Sequence, residues 1–332
     1  MSPERSFAVR HELANVVRAA FGPTRRLVAA DRLRGGSKKG VYRLTLSDQA
    51  TVICYLWDAA ENYWPDRPGE AGDDHDGPFS DASGLDLFEA SHAQLDALGV
   101  RTPRVYAADR SRAAYPADVA LVEDVRGENL ETRLERGLPG TEHVLARLGA
   151  ALAVLHQHHG PGIGQVAVAG RGSTGRDRSC EQIVLDRALD DLEQGAARVE
   201  QVAAARAPLE AAVRQLAAAV RPRSRYGLIH GELGPDHVLI DGHGQPVLID
   251  IEGVMFFDIE WEHAFLELRF GEHYRWLRED GLDQERLRLY RLALHLSLIA
   301  GPLRLLDGDF PDRAPMLAIA QYNTARALAF LR

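Results

Sequence analysis

The sequence predicts an α+β protein of two lobes, with an antiparallel sheet and one main helix in the N-terminal lobe and mostly helices in the C-terminal lobe. Three observations predict this fold. The chain has 332 residues, which is long for a single hydrophobic core. Strand-like runs are concentrated before residue 126, and beyond it most apolar residues recur at helical spacing. We therefore predict lobes at residues 1–125 and 126–332.

The N-terminal lobe is predicted from three strand-like runs and a glycine-rich turn. The runs span residues 26–33, 41–46 and 50–57. Between the first two stands the segment Gly35-Gly36-Ser37-Lys38-Lys39-Gly40. Glycines at such a turn allow the backbone to approach a bound phosphate closely.

The distribution of lysine also singles out this turn. The chain has only two lysines, Lys38 and Lys39, and the other 37 of its 39 basic residues are arginines. Lysines at a hairpin tip are often there simply for solvation. Because lysine is so rare elsewhere, we favour a functional explanation, in which a compact, flexible ammonium contacts phosphate. The third run, residues 50–57, contains no cation.

The rest of this lobe is predicted to contain a helix, a long loop and a last strand. Apolar residues recur at helical spacing over residues 84–98, and Glu89 lies on that helix. Residues 63–79 are rich in proline, glycine and aspartate, which is typical of a loop. The run 119–125, which includes Glu123 and Val125, predicts the strand that leads into the second lobe.

The C-terminal lobe is predicted to be built from helices. Helical spacing predicts them at residues 130–136, 141–158, 259–278, 284–306 and 314–331. Residues 181–221 are rich in alanine, leucine and arginine, and Pro208 within them predicts a break between two helices.

Two motifs in this lobe indicate the chemistry. The first, residues 230–240, begins His230-Gly231-Glu232 and places His237 five residues after Glu232. The second, residues 248–253, contains Asp250. In phosphoryl transfer one carboxylate orients or deprotonates the acceptor hydroxyl, and further ligands hold the metal ions. Glu232 is the candidate for the first task and Asp250 for the second.

The metal ligands are expected to be oxygen atoms, with one exception. Asp250 offers the hard oxygen that Mg²⁺ prefers. His237 offers a ring nitrogen, a softer ligand than the oxygen atoms that Mg²⁺ prefers. Its neighbour Asp236 could supply the oxygen instead.

The spacing of these motifs resembles the aminoglycoside phosphotransferase family, whose loop reads His-Gly-Asp-x-x-x-x-Asn and whose metal motif begins Asp-x-Glu. The resemblance covers most of the chain, and the acidic pair Asp258 and Glu262 follows at the offsets of that family. It implies a protein-kinase-like fold. It also implies that His230 braces the loop and that Asp258 accepts hydrogen bonds from it. Glu232 and His237 depart from the family's aspartate and asparagine.

The resemblance further implies a nucleotide site in the N-terminal lobe. The glycine-rich turn would cover the phosphates, and Lys38 or Lys39 would replace the lysine that residues 50–57 lack. Glu89 would be the acid that pairs with this lysine. The backbone from Glu123 to Val125 would bind the edge of the base, which leaves ATP and GTP both open.

The function implied is an ATP- or GTP-dependent phosphotransferase that uses Mg²⁺ and transfers the γ-phosphate to a hydroxyl of a small molecule. An antibiotic of the aminoglycoside or nucleoside type, modified as a resistance activity, and a sugar-like metabolite are both open as acceptors. The alternative is a catalytically weak, nucleotide-binding regulatory or scaffold protein. The retained carboxylates at Glu232 and Asp250 favour the enzyme.

Composition limits the partners. The formal charge is −9, no basic block is present and no apolar run is long enough to cross a bilayer, so we expect neither nucleic acid nor membrane as a partner. The N-terminal residues lack a signal peptide's apolar core, which predicts a cytoplasmic protein. Cys54 and Cys180 are expected to be reduced and buried. The histidines at 156, 158 and 159 are not expected to bind metal. The oligomeric state is open.

Overall fold

An antiparallel sheet forms the N-terminal lobe, as predicted. The computed structural model describes residues 5–34, 36–65, 78–79, 82–160, 162–169 and 178–332. The predicted site residue Gly35 and most of the predicted loop 63–79 therefore lie outside the described residues. The sheet has the order β1-β2-β3-β5-β4. Its strands are β1 (Leu27–Arg32), β2 (Gly40–Leu46), β3 (Thr51–Trp57), β4 (Val105–Asp109) and β5 (Asp118–Glu123).

A helix covers each face of this sheet. On one face, the sequence analysis missed helix α1 (Arg10–Phe21), although its buried residues Leu13, Val16 and Val17 have helical spacing. They pack against the side chains of β2 and β3 that alternate to that face, including Cys54. On the other face lies α2 (Leu85–Ala97), close to its predicted bounds.

The C-terminal lobe is mostly helical, which confirms the predicted fold class. Its helices are α3 (Leu130–Glu135), α4 (Thr141–Gln157), α5 (Val166–Ala169), α6 (Cys180–Ala196), α7 (Glu200–Ala204), α8 (Arg206–Ala219), α9 (Ile259–Phe270), α10 (Gln284–Leu305) and α11 (Arg313–Ala329). Helix α10 is central, because it packs against α6, α8, α9 and α11. Cys180 is buried at the start of α6, and both cysteines are free thiols.

Two helix boundaries differ from the prediction. Pro208 does not break a helix, because it lies in the first turn of α8, where the missing N–H is not needed. The chain turns before it, between α6 and α8. The helix predicted to reach residue 278 ends at Phe270, because Gly271 has a φ of 52° and a 3₁₀ segment follows.

Two small antiparallel sheets place the predicted motifs side by side. Strand β6 (Gly164–Gln165) and strand β7 (Gly227–Ile229) flank β10 (Met255–Phe257), while β8 (Val238–Ile240) pairs with β9 (Pro246–Leu248). The loop from His230 to His237 joins β7 to β8, and residues 249–254 join β9 to β10. The N–H of Ile249 donates to the carbonyl of His237 (3.0 Å), so the two connections are in direct contact.

A continuous hydrophobic cluster joins the lobes. It extends from Ile53 and Phe88 in the N-terminal lobe to Leu148 and Val238 in the C-terminal lobe. Within the described ranges, no helix combines the length and the apolar character that crossing a membrane requires.

Candidate active site

The predicted catalytic loop is held by the helix behind it. A carboxylate of Glu262, fully buried in α9, accepts the backbone N–H groups of His230 (2.5 Å) and Gly231 (3.3 Å). The indole N–H of Trp261 donates to the carbonyl of Gly231 (3.3 Å). Gly231 has a φ of 93°, a conformation that side chains rarely adopt, so a glycine suits this turn. The side chain of Glu232 follows directly and is exposed.

The structure corrects the expectation that Asp258 accepts hydrogen bonds from this loop. Its buried carboxylate contacts the guanidinium of Arg286 and accepts the hydroxyl hydrogen bond of Tyr290, both on α10. Glu262, one turn further along α9, accepts the loop N–H groups instead. The sequence offsets suggested an acidic pair behind the loop, but the carboxylate of Asp258 is taken up by Arg286 and Tyr290 of α10, and Glu262 holds the loop.

His237 lies between two candidate metal ligands, Asp236 and Asp250. Nδ1 of His237 donates to the carbonyl of Glu232 (3.0 Å), which leaves a lone pair on Nε2. That Nε2 lies 3.7 Å from a carboxylate oxygen of Asp236 and 3.7 Å from one of Asp250. The other oxygen of Asp236 accepts from Arg269 (2.7 Å). His230 stacks on His237, with ring centroids 6.0 Å apart, and its Nε2 donates to the carbonyl of Ile249 (3.0 Å).

Lys39 reaches into this group from the other lobe. Its Nζ donates to Asp250 (2.7 Å) and to Glu252 (2.5 Å). Lys39 and Glu252 are buried, whereas 48% of the side chain of Asp250 is exposed. Burial opposes the charge of Lys39, but the two carboxylates outweigh it and hold its pKa above the ordinary value. In return, the ammonium of Lys39 holds the pKa of Asp250 well below the usual range.

Lys38 lies elsewhere on the same turn. Its ammonium stands over the ring of Trp64, 5.7 Å from the centroid. The indole N–H of Trp64 donates to the hydroxyl of Ser37 (3.0 Å), and the N–H of Tyr63 donates to the carbonyl of Ser37 (2.8 Å). Arg304 of α10 covers the same indole at 5.2 Å. The turn is therefore attached to the C-terminal helices through residues 63 and 64.

Two glycines of the turn, Gly36 and Gly40, lie where a side chain would clash with neighbouring atoms. A Cβ on Gly40 would lie 2.6 Å from the carboxyl carbon of Glu61, and one on Gly36 would lie 2.5 Å from the carbonyl oxygen of Lys39. Glu61 is buried and accepts hydrogen bonds from Arg32 (2.7 Å) and from the hydroxyl of Tyr42 (2.5 Å). Gly40 thus leaves room for a buried ion pair under the turn.

Glu89 does not make the contact that the resemblance implied. Its carboxylate accepts a hydrogen bond from Arg110 at the surface, and 40% of its side chain is exposed. The space between β3 and α2 is filled by Tyr55 and Phe88, whose rings meet edge to face at 5.6 Å. Lys39 instead contacts two acids of the C-terminal lobe, Asp250 and Glu252, and the sequence analysis gave Glu252 no task.

The predicted base-binding segment, from Glu123 to Val125, begins at the last residue of β5. The carboxylate of Glu123 accepts hydrogen bonds from Arg101 (2.6 Å) and from the N–H of Arg104 (3.0 Å). These donors hold the pKa of Glu123 below its ordinary value despite partial burial. Val125 is buried. Whether this backbone binds a base stays a prediction.

Two of the histidines at the end of α4, His156 and His158, contact different partners. Nδ1 of His156 donates to Glu279 (2.6 Å), whereas His158 contacts Gln94 (3.1 Å). The other ring nitrogen of His156 lies 3.9 Å from Glu262, the acid that holds the catalytic loop. The carboxylates of Glu262 and Glu279 outweigh the burial of His156 and raise its pKa to about 9. His156 is therefore a charged bridge between two acids at neutral pH.

The sequence analysis missed several residues that shape the site. Glu252 could have been found, because the Asp-x-Glu spacing places two carboxylates on one tight connection. Tyr55, Trp64 and Arg269 had no comparable signal, since their contacts depend on distant segments. They became visible only once the two lobes were placed together.

A sheet lobe joined to a helical lobe, with a lysine of the first meeting the acidic motif of the second, is the architecture of kinase-like phosphotransferases. The chain belongs to the phosphotransferase enzyme family, whose model matches residues 31–295. Membership confirms the predicted enzyme class, a phosphotransferase whose acceptor group is a hydroxyl. A comparison with curated protein sequences found no significant match.

Solved structures confirm the fold. Spectinomycin phosphotransferase APH(9)-Ia, in complex with ADP and spectinomycin, is similar with a TM-score of 0.67 and 14% identity, covering 98% of this chain and 99% of that one. Aminoglycoside phosphotransferase APH(4)-Ia, as a thermostable mutant in a ternary complex with AMP-PNP and hygromycin B, gives 0.64 and 16%, covering 97% and 98%. A candidate fructosamine-3-kinase from Thermobifida fusca gives 0.50 and 20%, covering 97% and 100%.

Proposed function

We propose that this protein transfers the γ-phosphate of ATP or GTP to a hydroxyl of a small molecule, using a site formed between its two lobes. The convergence of Lys39, Asp250 and His237 carries the proposal. Nζ of Lys39 lies 2.7 Å from one oxygen of Asp250, and Nε2 of His237 lies 3.7 Å from the other. The ammonium of Lys39, which we assign to the phosphates, thus lies beside two candidate metal ligands, Asp250 and His237.

The donor set suits a divalent cation. Asp250 and Asp236, on either side of the ring of His237, offer the hard oxygens that Mg²⁺ prefers. The lone pair of His237 is a softer ligand, which Mn²⁺ accepts more readily than Mg²⁺ does. A bound cation would neutralise charge on the transferred phosphate. Its identity as Mg²⁺ is part of the proposal.

The residues of this chain have separate tasks in the proposed reaction. Lys39 binds the phosphates, and the glycine-rich turn covers them. Glu232, exposed beside the candidate metal ligands, orients the acceptor hydroxyl and takes its proton as the new P–O bond forms. The backbone before Glu232 is held in place, because Glu262 accepts the N–H groups of His230 and Gly231.

The acceptor is proposed by analogy to the similar structures. Two of them hold aminoglycoside-type antibiotics, spectinomycin and hygromycin B, together with a nucleotide. A third is a candidate kinase of fructosamines, which are sugar derivatives. An antibiotic modified as a resistance activity and a sugar-like metabolite are therefore the two acceptor classes that we propose to test. The cytoplasmic location stays a prediction.

A transfer assay with γ-labelled ATP and GTP tests the proposal. The acceptor panel would contain spectinomycin, hygromycin B, nucleoside antibiotics and fructosamines, each with Mg²⁺ and with Mn²⁺. We expect labelled product with at least one acceptor, and transfer that is about 10²- to 10⁴-fold slower in the Glu232→Ala variant. A protein that binds nucleotide but labels no acceptor would instead support the regulatory or scaffold alternative.

A further inference from the structure

The lysine that the proposed function assigns to the phosphates has two candidate acidic partners. Glu89 lies on α2, the helix that packs on the sheet of the same lobe, but its carboxylate contacts Arg110 at the surface. Glu252 lies in the second lobe, and its carboxylate is 2.5 Å from Nζ of Lys39. Glu89 lies in the same lobe as Lys39, whereas Glu252 lies in the other lobe, so a pair of Lys39 with Glu252 connects the lobes.

Burial distinguishes Glu252 from the other carboxylate at this lysine. The side chain of Glu252 is 3% exposed, and that of Asp250 is 48% exposed. A buried carboxylate needs a cation close by, because an unpaired charge in the interior is costly. An exposed one can exchange its partner for water or a metal ion at little cost. Separating Lys39 from the buried Glu252 should therefore cost more free energy than separating it from the half-exposed Asp250.

The aromatic residues around Lys39 complete this arrangement. The ring of Tyr55 on β3 lies 5.1 Å from Nζ of Lys39, within the range of a cation–π contact. Phe88 of α2 packs against the same ring. These two rings fill the place between β3 and α2 in which a lysine and a glutamate would otherwise meet.

We propose that Glu252 is the positioning residue that holds Lys39 in place for the nucleotide phosphates. The ring of Tyr55 supports the ammonium through the cation–π contact. The inference rests on the proposed function. Lys39 keeps Glu252 when Asp250 is taken by a metal ion, so the same lysine can serve the phosphates without losing its anchor. Because Lys39 and Glu252 belong to different lobes, the contact that positions the lysine also connects the two lobes.

The scarcity of lysine allows a direct test of the pairing. Amine acylation followed by peptide mass spectrometry can follow both lysines of the chain, with Lys38 as the reference for Lys39. In Glu252→Gln, which keeps the shape of the side chain but removes its charge, we expect faster acylation of Lys39 relative to Lys38. Glu89→Gln should leave this ratio unchanged. The same labelling of Glu252→Asp, which keeps the charge on a shorter stem, should give an intermediate ratio.

Kinetics of the full-length enzyme test the consequence for the reaction. We expect kcat/KM for the nucleotide to fall by about 10²-fold in Glu252→Gln, as for a misplaced reacting group. Glu252→Asp should recover part of it. Asp96→Asn, which removes an exposed acid at the far end of α2, is the matched control. Thermal unfolding of each variant shows whether it is folded, and the aspartate variant answers the question if the glutamine variant is not.

Two results would overturn the inference. One is an unchanged Lys39 to Lys38 acylation ratio in both Glu252 variants. The other is a loss of kcat/KM in Glu89→Gln that equals or exceeds the loss in Glu252→Gln. A wild-type protein that transfers no phosphate would contradict the proposed function instead, and the acylation ratio would still decide whether Glu252 holds Lys39.

Discussion

Glu232 is the residue that we propose as the base for the acceptor hydroxyl. It keeps the carboxylate of the resembled pattern but adds a methylene group, so either the loop has receded or the acceptor hydroxyl lies differently. A positioned base contributes about 10² to 10⁴ in rate. We expect Glu232→Ala to lower kcat by that factor in the transfer assay while nucleotide binding is retained. Glu232→Asp is the control, because it keeps the acid, and unchanged turnover in Glu232→Ala would remove this residue from the mechanism.

The two lysines of the glycine-rich turn should differ in their effect on nucleotide use. Lys39 contacts two carboxylates of the second motif, whereas the ammonium of Lys38 lies over Trp64. Hydrogen bonds to charged groups contribute about 1.5–3 kcal/mol, which corresponds to about 10- to 100-fold in affinity. We expect Lys39→Ala to lower kcat/KM for ATP by that factor, and Lys38→Ala to have a smaller effect. The reverse order would show that the phosphates meet Lys38.

His156 makes stability depend on pH in a defined window. Its pKa is raised to about 9 by Glu262 and Glu279, above its ordinary value of 6.5. Its stabilising contribution is therefore complete below about pH 6.5 and is lost as the pH rises towards about 9. His263, which lies beside it, has its pKa lowered to about 4 by burial and by the charge of His156, so it is neutral throughout this window.

Chemical denaturation between pH 6 and pH 9 measures this effect. The shift in pKa corresponds to an amount on the order of 3 kcal/mol in the free energy of unfolding. We expect the wild-type protein to lose stability over this range and His156→Asn to show a flatter profile. Equal slopes for both proteins would mean that His156 is not the charged bridge behind the catalytic loop.

At the level of secondary-structure elements, Arg286 joins three segments. It is fully buried on α10 and contacts Asp258 before α9, Glu181 on α6 and the carbonyl of Arg221. Removing one partner of a buried ion pair costs about 3–5 kcal/mol, because the other charge stays buried. We expect Arg286→Met to lower the free energy of unfolding by about that amount.

A second arginine of the same helix is the matched control for Arg286. Arg288 is exposed over 61% of its side chain and lies 3.8 Å from Glu285. Surface pairs of this kind contribute about 0–1 kcal/mol. Urea unfolding of Arg286→Met and Arg288→Met should therefore give clearly different midpoints. Similar midpoints would mean that the buried pair does not hold these elements together.

For the whole molecule, nucleotide binding should stabilise the fold. Lys39 links the N-terminal sheet to Asp250 and Glu252 of the C-terminal lobe, so a nucleotide bound between them contacts both lobes. A ligand that binds only the folded state at about 100 times its Kd stabilises it by about 2.7 kcal/mol. We expect ATP or GTP with Mg²⁺ to raise Tm. A rise retained in full by Lys39→Ala would place the nucleotide elsewhere, and no rise with either nucleotide would contradict both function classes.

The sequence by itself predicted the two-lobed α+β fold, most of its strands and helices, and the family. It could do so because side-chain periodicity is local and because the offsets between His230, Glu232, Asp250 and Glu262 are fixed in the chain. It also identified the turn that holds both lysines. Its errors in the fold included the missed helix α1, the missed strand β4 and the limits of single helices, where neighbouring residues such as Gly271 decide.

Only the tertiary structure decided which charges meet. Lys39 contacts Asp250 and Glu252 across 211 and 213 residues of sequence, whereas Glu89, the partner that the resemblance implied, contacts Arg110. Glu262 rather than Asp258 supports the catalytic loop. The strength of an ion pair depends on the distance between its atoms and on burial, and neither quantity can be read from separation along the chain.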